Sequence, residues 1–291
     1  MNQQGAECPP VLLTVAGFDP SAGAGVAADL KTFAAHGCYG VAALTALTVQ
    51  NTQGVQGVQP LPAEVLRAQL TELAKDMPIA GVKIGMLGRR ANVQVVAEFL
   101  EKNRFAHVVL DPVLRASAGG ELIEPAAVKE ISKRLLPLAT LVTPNESEAA
   151  ALAGIEIKTF DDRKAAAQKL FTMGARAVVI TGGESEKPLD LVYDGAAFTP
   201  FEGERVKSES THGTGCTFSA AVLANLVGGR QLPDAVMLAK AYVAKAIAHG
   251  FPLGRGKGPL NHFYRYQNGQ VVHSHSLHMP AEGPAHGVRH F

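Results

Sequence analysis

The chain has 291 residues, 47% hydrophobic and 18% charged, with a formal net charge of +1 at pH 7. That balance allows a sizeable core and excludes an electrostatic footprint for nucleic acid or for an anionic membrane surface. The three cysteines, Cys8, Cys38 and Cys216, have no metal-type spacing and read as reduced thiols of a cytoplasmic protein. No secretory signal is expected at residues 1–10, and no apolar run is long enough to span a bilayer.

Residues 11–16 form a short apolar run that predicts a buried strand. The glycine-rich stretch 17–25 is a loop, and Val26, Leu30, Phe33 and Ala34 then mark an amphipathic helix ending at Gly37. Residues 39–49 are β-rich and end in Gln50-Asn51-Thr52. Pro62 suits a first helical turn, with Leu66, Leu70 and Leu73 on one face. A strand at 82–84, a helix through Val93, Val96, Ala97 and Leu100, and a strand at 108–110 ending in Asp111-Pro112 follow. Val128, Ile131 and Leu135 predict a helix, and Leu141 and Val142 a strand before Thr143-Pro144-Asn145. A helix at 165–173 leads to a strand at 178–181. Residues 191–193 and 197–201 predict a hairpin turning at Asp194-Gly195. Helices at 216–226 and 234–248 follow. From 266 the chain is rich in Gly, His and Pro without period, and a loose tail is expected over 266–291. Its histidines (His273, His275, His278, His286, His290) read as solvated rather than metal-binding.

Strands alternating with helices imply an α/β fold: one domain over 11–265, with a mainly parallel sheet covered by helices on both faces. Ligands bind at the carboxyl ends of such strands. Several strands here end in glycine or polar signals, at 17–25, Gln50-Asn51, Gly85-Met86, Asp111-Pro112, Asn145 and Gly182-Gly183. A cleft along that edge is the expectation.

Thr211-His212-Gly213-Thr214-Gly215-Cys216-Thr217 precedes an apolar run at helical spacing. A glycine loop opening a helix offers backbone N–H groups and partial positive charge to an anion. A thiol at a helix start has its thiolate stabilised, so a lowered pKa is expected for Cys216. The alternative is a glycine turn with a structural cysteine. Asn145 and Glu148, three apart, share a face and could hold Mg²⁺ through water, or could form a capping box. Gly23-Ala24-Gly25-Val26-Ala27-Ala28 matches a dinucleotide fingerprint. The loop before it is too long, however, and the next strand ends in Gln50 rather than an acid, which argues against a dehydrogenase. No Walker A motif occurs. Cys216 with His212 is a weaker candidate for a cysteine hydrolase. Lys83, inside a short apolar strand, is out of place there, whereas Asp29 and Lys31 would ordinarily be solvated.

Together these stretches resemble the hydroxymethylpyrimidine/phosphomethylpyrimidine kinases of thiamine biosynthesis, a ribokinase-fold family. The resemblance is carried by Ala16-Gly17-Phe18-Asp19-Pro20-Ser21, by Gly23-Ala24-Gly25 with Ala28-Asp29-Leu30-Lys31, and by Thr45-Ala46-Leu47 with Gln50-Asn51-Thr52. It continues in Lys83-Ile84-Gly85-Met86-Leu87, Asp111-Pro112-Val113, Thr143-Pro144-Asn145 with Glu148, and His212-Gly213-Thr214-Gly215-Cys216-Thr217, and ends at Gly258-Pro259 with His262-Phe263. It implies a ribokinase-like three-layer sandwich, ATP and Mg²⁺, a small-molecule alcohol as substrate, a homodimer, and two successive phosphorylations. By position it implies Cys216 as base, with Gly213, Thr214 and Gly215 as the anion hole. Gln50, Gly17, Met86, Val113 and Asp29 would line the substrate site. Thr181, Lys240 and Asn145 would lie at the nucleotide, and Glu148 and Asp111 at the metal. The chain departs from the family at Thr181-Gly182-Gly183-Glu184, where a Lys-Gly-Gly-His run is usual. It departs again at Arg115-Ala116-Ser117-Ala118-Gly119, where Arg115 is a candidate compensating charge. Pyridoxine or pyridoxal kinase is the rival of the same fold, and a non-catalytic pyrimidine binder the rival outside it.

Overall fold

In a computed structural model, which describes residues 8–115, 122–183 and 188–269, the short apolar runs become the parallel heart of one sheet. Its strands are β1 (Val11–Phe18), β2 (Tyr39–Asn51), β3 (Gly54–Pro60), β4 (Ile79–Ile84), β5 (Val108–Leu110), β6 (Leu141–Val142), β7 (Val178–Ile180), β8 (Leu189–Tyr193) and β9 (Phe198–Glu202). The order among the described residues is β3-β2-β1-β4-β5-β6-β7-β8-β9. From β2 to β7 all neighbours are parallel, while β3, β8 and β9 add antiparallel edges.

Side chains alternate across a strand, and here the alternation sorts the apolar residues into two cores. Leu13, Val15, Val82, Ile84, Leu110, Val142 and Ile180 pack beneath five helices. These are α2 (Ala63–Asp76), α3 (Arg90–Asn103), α4 (Pro125–Glu130), α5 (Glu146–Ala153) and α6 (Phe160–Thr172). Leu12, Val109, Leu141 and Val179 face the other way, under α1 (Gly25–Ala35), α7 (Thr214–Val227) and α8 (Leu232–Ala248). The result is the expected three-layer sandwich. The same alternation turns Thr14 and Lys83, register partners on β1 and β4, toward the α1 and α7 layer. Each large side chain fully buried in these cores contributes roughly 1.5–3 kcal/mol.

Two local features depart from the sequence reading. β2 does not stop at a polar loop but turns through Thr52-Gln53 into β3, an edge strand. Two glycines and alternating glutamines hide β3 from a hydrophobic-pattern reading, and Pro60 ends it. The helix expected through Val128, Ile131 and Leu135 is α4 running into a π-helical turn, Ile131–Leu135, and then a 3₁₀ turn, Leu136–Leu138. Pro137 has no N–H to continue the ladder. The hairpin forms as expected: Tyr193 pairs with Phe198, Gly195 takes a positive φ of 93°, and Asp194 Oδ1 accepts from the Ala196 and Ala197 amides at 2.9 and 2.8 Å. No helix among the described residues is long and apolar enough to cross a membrane. The final 3₁₀ turn runs over Tyr264–Gly269, past the expected boundary at 265, and the five tail histidines lie outside the described residues.

Candidate active site

Two helix starts meet at the carboxyl edge of the sheet. Gly213 is the N-cap of α7, with a left-handed φ of 87°. A Cβ at Gly213 would lie 1.9 Å from the carbonyl oxygen of Gly23, and one at Gly23 would lie 2.2 Å from Cδ2 of His212. Only glycine at both positions lets the loop before α1 and the loop before α7 touch. Asp19 ties them. Its Oδ1 accepts from the Ser21 amide and hydroxyl, at 2.8 and 2.7 Å. Its Oδ2 accepts from the Gly23 and Ala24 amides at 3.1 and 2.9 Å, and from His212 Nε2 at 2.7 Å. A carboxylate only accepts, so the imidazole donates through Nε2. Burial alone would raise the Asp19 pKa, but the hydrogen bonds from His212 and Ser21 and the charge of His212 outweigh it and bring it to about 2. His212 is therefore committed to Asp19, which removes the arrangement a cysteine hydrolase would need.

Thr214, Gly215 and Cys216 occupy the first turn of α7, whose amides have no intrahelical acceptor. The first helical bond runs from the Thr217 amide to the Gly213 carbonyl at 2.9 Å. Gly215 is exposed, with open space where a side chain would be. This is the geometry of an anion cradle. Cys216 is part-buried beside the Gly25 amide, which starts α1. The expectation of a lowered thiol pKa is corrected: burial pushes Cys216 up to about 12, against the pull of Lys83 and the Gly25 amide, and Asp111 and Asp29 add to the push. Desolvation of a thiolate outweighs two helix starts here.

Several residues expected at the substrate lie at or just past the carboxyl ends of strands. Met86 is buried and lies across Gly17, where a Cβ would sit 3.2 Å from its sulfur. Thr45 Oγ1 donates to the Met86 carbonyl at 2.6 Å and fixes that strand end. Val113 is half-buried, and its amide donates to the Asp111 carbonyl at 2.8 Å. Gln50 is half-buried at the far end of β2, just past a bulge after Val49. The adjoining turn is held by Asn51 Oδ1, which accepts from the Gln53 amide at 2.9 Å, so it does not need Gln50. Among the described residues no hydrogen-bond partner engages the Gln50 side chain.

Other expected site residues face inward. Asp29 has no exposed surface and is held by Lys83 and Thr14, so it lies behind the site rather than at the substrate. Lys240 pairs with Asp190 at 2.7 Å, and Asp190 in turn accepts from the Gly182 amide at 3.0 Å. Lys240 therefore braces the end of β7 and is not free for a nucleotide. Thr181 and Asn145 are bridged, the Thr181 amide donating to the Pro144 carbonyl at 2.9 Å. Asn145 and Glu148 form the capping box at the start of α5. Glu148 Oε2 accepts from the Asn145 amide at 3.0 Å and Oε1 from the Leu114 amide at 3.4 Å. Asp111 Oδ2 accepts from Ser219 at 2.9 Å and lies 3.5 Å from Lys83. Among the described residues no cluster of three or more His, Cys, Asp or Glu could hold a metal. Glu148, expected to act on Mg²⁺ through water, is held by backbone amides, and Asp111, expected at the metal, is held by Ser219. Arg115 is exposed, whereas Ala116, Ser117, Ala118, Gly119 and Glu184 lie outside the described residues.

Sequence reasoning missed the Asp19–His212 link, because 193 residues separate its partners and neither is unusual alone. It flagged Lys83 as misplaced without seeing its partners.

A parallel sheet with an anion cradle and a thiol at its carboxyl edge is the framework of an α/β phosphotransferase, and the comparisons agree. The chain matches the family described as phosphomethylpyrimidine kinase over residues 19–261, and it belongs to that family. It is 44% identical over 259 residues to the hydroxymethylpyrimidine/phosphomethylpyrimidine kinase of Haemophilus influenzae, covering 87% of this chain and 96% of that one. It is 39% identical over 256 residues to the pyridoxine kinase of Bacillus subtilis, covering 86% and 94%. Among solved structures it resembles the pyridoxal kinase of Staphylococcus aureus in complex with AMP-PCP and pyridoxal, with a TM-score of 0.81 and 37% identity, covering 90% and 97%. The chain is a kinase of ribokinase-like fold.

Gly213→Ala forces a side chain into the Gly23 carbonyl at an unfavourable φ. The expected cost is about 1–3 kcal/mol in stability and about 100-fold in kcat, read by thermal melting and steady-state rates. For Asp19, whose pKa falls from 3.8 to about 2 on folding, the stabilisation is complete above pH 3.8 and is lost as pH falls through about 2. The wild-type melting temperature should therefore fall more steeply between those values than that of Asp19→Asn. Parallel acid limbs would refute this.

Proposed function

We propose that the chain transfers the γ-phosphoryl group of MgATP to the hydroxymethyl group of 4-amino-5-hydroxymethyl-2-methylpyrimidine, and then a second one to the monophosphate. The observation that carries this reading is the meeting of the α1 and α7 starts around Cys216, with the Gly17–Met86 floor beside it. Phosphoryl transfer proceeds through a loose transition state, so positioning and charge neutralisation do most of the work. Gly213, Thr214 and Gly215 receive the developing charge on the transferred group. Cys216 faces the alcohol and takes its proton as thiolate. Thr181 and Asn145, bridged at adjacent strand ends, border the nucleotide. Glu148 would act on Mg²⁺ through water, which suits an ion that dehydrates reluctantly. The protein acts in the cytoplasm. Phe18, Leu47 and Val49 leave a row of exposed apolar side chains beside the outer strands, which suits a homodimer contact.

Gln50 sets the choice of alcohol. A side-chain amide offers an acceptor and donors side by side, complementary to a ring nitrogen next to an exocyclic amine. Pyridoxine presents no such edge. Gln50→Leu should lower kcat/KM for the aminopyrimidine about 10- to 100-fold and narrow the preference over pyridoxine. Both alcohols measured on both proteins decide it. A wild type that prefers pyridoxine would put the vitamin B6 reading first.

The raised Cys216 pKa gives the chemistry a signature. Thiolate is scarce at neutral pH, so log kcat should climb with pH from 7 to 9 without a plateau. Cys216→Ala should lose about 10²–10⁴-fold in kcat, with little change in alcohol KM, and lose that climb. A flat wild-type profile would leave Cys216 an orienting group only.

A further inference from the structure

Lys83 has no exposed surface. Its neighbours Val82 and Ile84 belong to the core under α2–α6, so the pleat aims Lys83 at the opposite layer, between α1 and α7. There its Nζ lies 3.1 and 3.0 Å from the two carboxylate oxygens of Asp29 and 3.5 Å from Asp111 Oδ2. Asp29 belongs to α1, and its Oδ2 also accepts from Thr14 Oγ1 at 2.6 Å. Asp111 follows β5 and is tied to α7 through Ser219 Oγ at 2.9 Å. That same hydroxyl lies 3.0 Å from the Gly215 carbonyl and 3.1 Å from the Cys216 carbonyl. A side chain at Gly85 would approach Lys83 Nζ to 3.0 Å, so the ammonium has little room to move.

A buried cluster of one ammonium and two carboxylates is costly, and well-packed apolar residues often serve stability as well or better. The contacts of this cluster run to both helix starts that frame Cys216, which points to a role in the reaction. We propose that Lys83 is a positioning residue for phosphoryl transfer: through Asp29 on α1, and through Asp111 and Ser219 on α7, it locks the two helix starts together and sets an ammonium against the Cys216 thiol. The proposal deepens the kinase reading and rests on it. The groups facing the thiol are Lys83, Asp111, Asp29 and the Gly25 amide, and of the three charged ones only the lysine favours the thiolate. Burial alone would make Lys83 lose its proton, but Asp29, Cys216 and Asp111 hold its pKa above the ordinary lysine value.

The experiment compares wild type with Lys83→Met and with Lys83→Met/Asp29→Asn, which removes one charge of each sign. The readouts are melting temperature, kcat and KM with MgATP and the aminopyrimidine alcohol, and the rate of iodoacetamide alkylation at Cys216 at pH 9, located by peptide mass spectrometry. Lys83→Met should melt earlier, and the double variant should recover most of that loss. Both should keep kcat about 10- to 100-fold below wild type with alcohol KM within about twofold. Alkylation of Cys216 should be slower than wild type in both, and slowest in Lys83→Met. If the double variant regains kcat and alkylation rate along with stability, Lys83 merely balances Asp29 and the proposal fails. It fails equally if neither variant folds. A wild type without kinase activity on the alcohol would sink the substrate reading instead, and the alkylation rates would still decide the role of Lys83.

Discussion

The site depends on the contact between the loop that ends β1 and the loop that starts α7. Gly23 and Gly213 touch backbone to backbone, and Asp19 clasps His212 across that contact. Without it two helix starts would point at the same region of solvent. With it their amides converge on one volume, and Cys216 sits where they meet. Chain topology makes the contact possible. α1 and α7 lie on the same face of the sheet and share its second core, although β2 to β9 intervene in sequence.

The same constraint explains why polar groups are buried so near the edge. Helix starts attract anions, and an attractive site left without counter-charge would close on its own carboxylates. Asp19, Asp29 and Asp111 are each committed inward, to amides, to a lysine or to a hydroxyl, instead of standing in the cleft. Lys240 and Asp190 do likewise at the far end. The open edge is thereby kept clear of these carboxylates. A site that must accept a polyphosphate and a neutral alcohol together gains from keeping fixed carboxylates away from both.

Much of this fold could be read from the chain. Apolar runs, as short as the two residues of β6, marked the positions of the parallel strands, and glycine or polar residues after them marked the ligand edge. The loop before α7 was legible as one of two readings, since glycines before a helix suit an anion site but also make a plain turn. β3 was not legible, since its two glycines, Gly54 and Gly57, and its glutamines, Gln56 and Gln59, carry no hydrophobic period. The resemblance put Asp29 at the substrate and Lys240 at the nucleotide, while the burial and partners of each depend on the opposing layer. Lys83 closes over Asp29, and Asp190 meets Lys240, only in three dimensions. The thiol of Cys216 shows the same limit. Its position at a helix start argued for a low pKa, and the burial that reverses the sign comes from strands and helices far away in sequence.

Relatives at 44% and 39% identity are named a hydroxymethylpyrimidine/phosphomethylpyrimidine kinase and a pyridoxine kinase. The structure offers a physical reason why one framework serves both. The phosphoryl half of the site is built from backbone amides, glycine contacts and buried ion pairs, none of which senses the ring of the acceptor. The residues proposed for the acceptor, Gly17, Met86, Val113 and Gln50, sit on other strand ends and share no hydrogen bond with the anion loop among the described residues. A change of acceptor therefore needs a change at the rim and leaves the transfer machinery intact. Gln50 is the rim position with unspent hydrogen-bonding capacity, at the end of a hairpin whose turn is held by other residues. On the proposed reading, a substitution there would alter recognition without touching the Asp19–His212 clasp or the Lys83 cluster. Specificity can drift in such a site while the chemistry stays fixed.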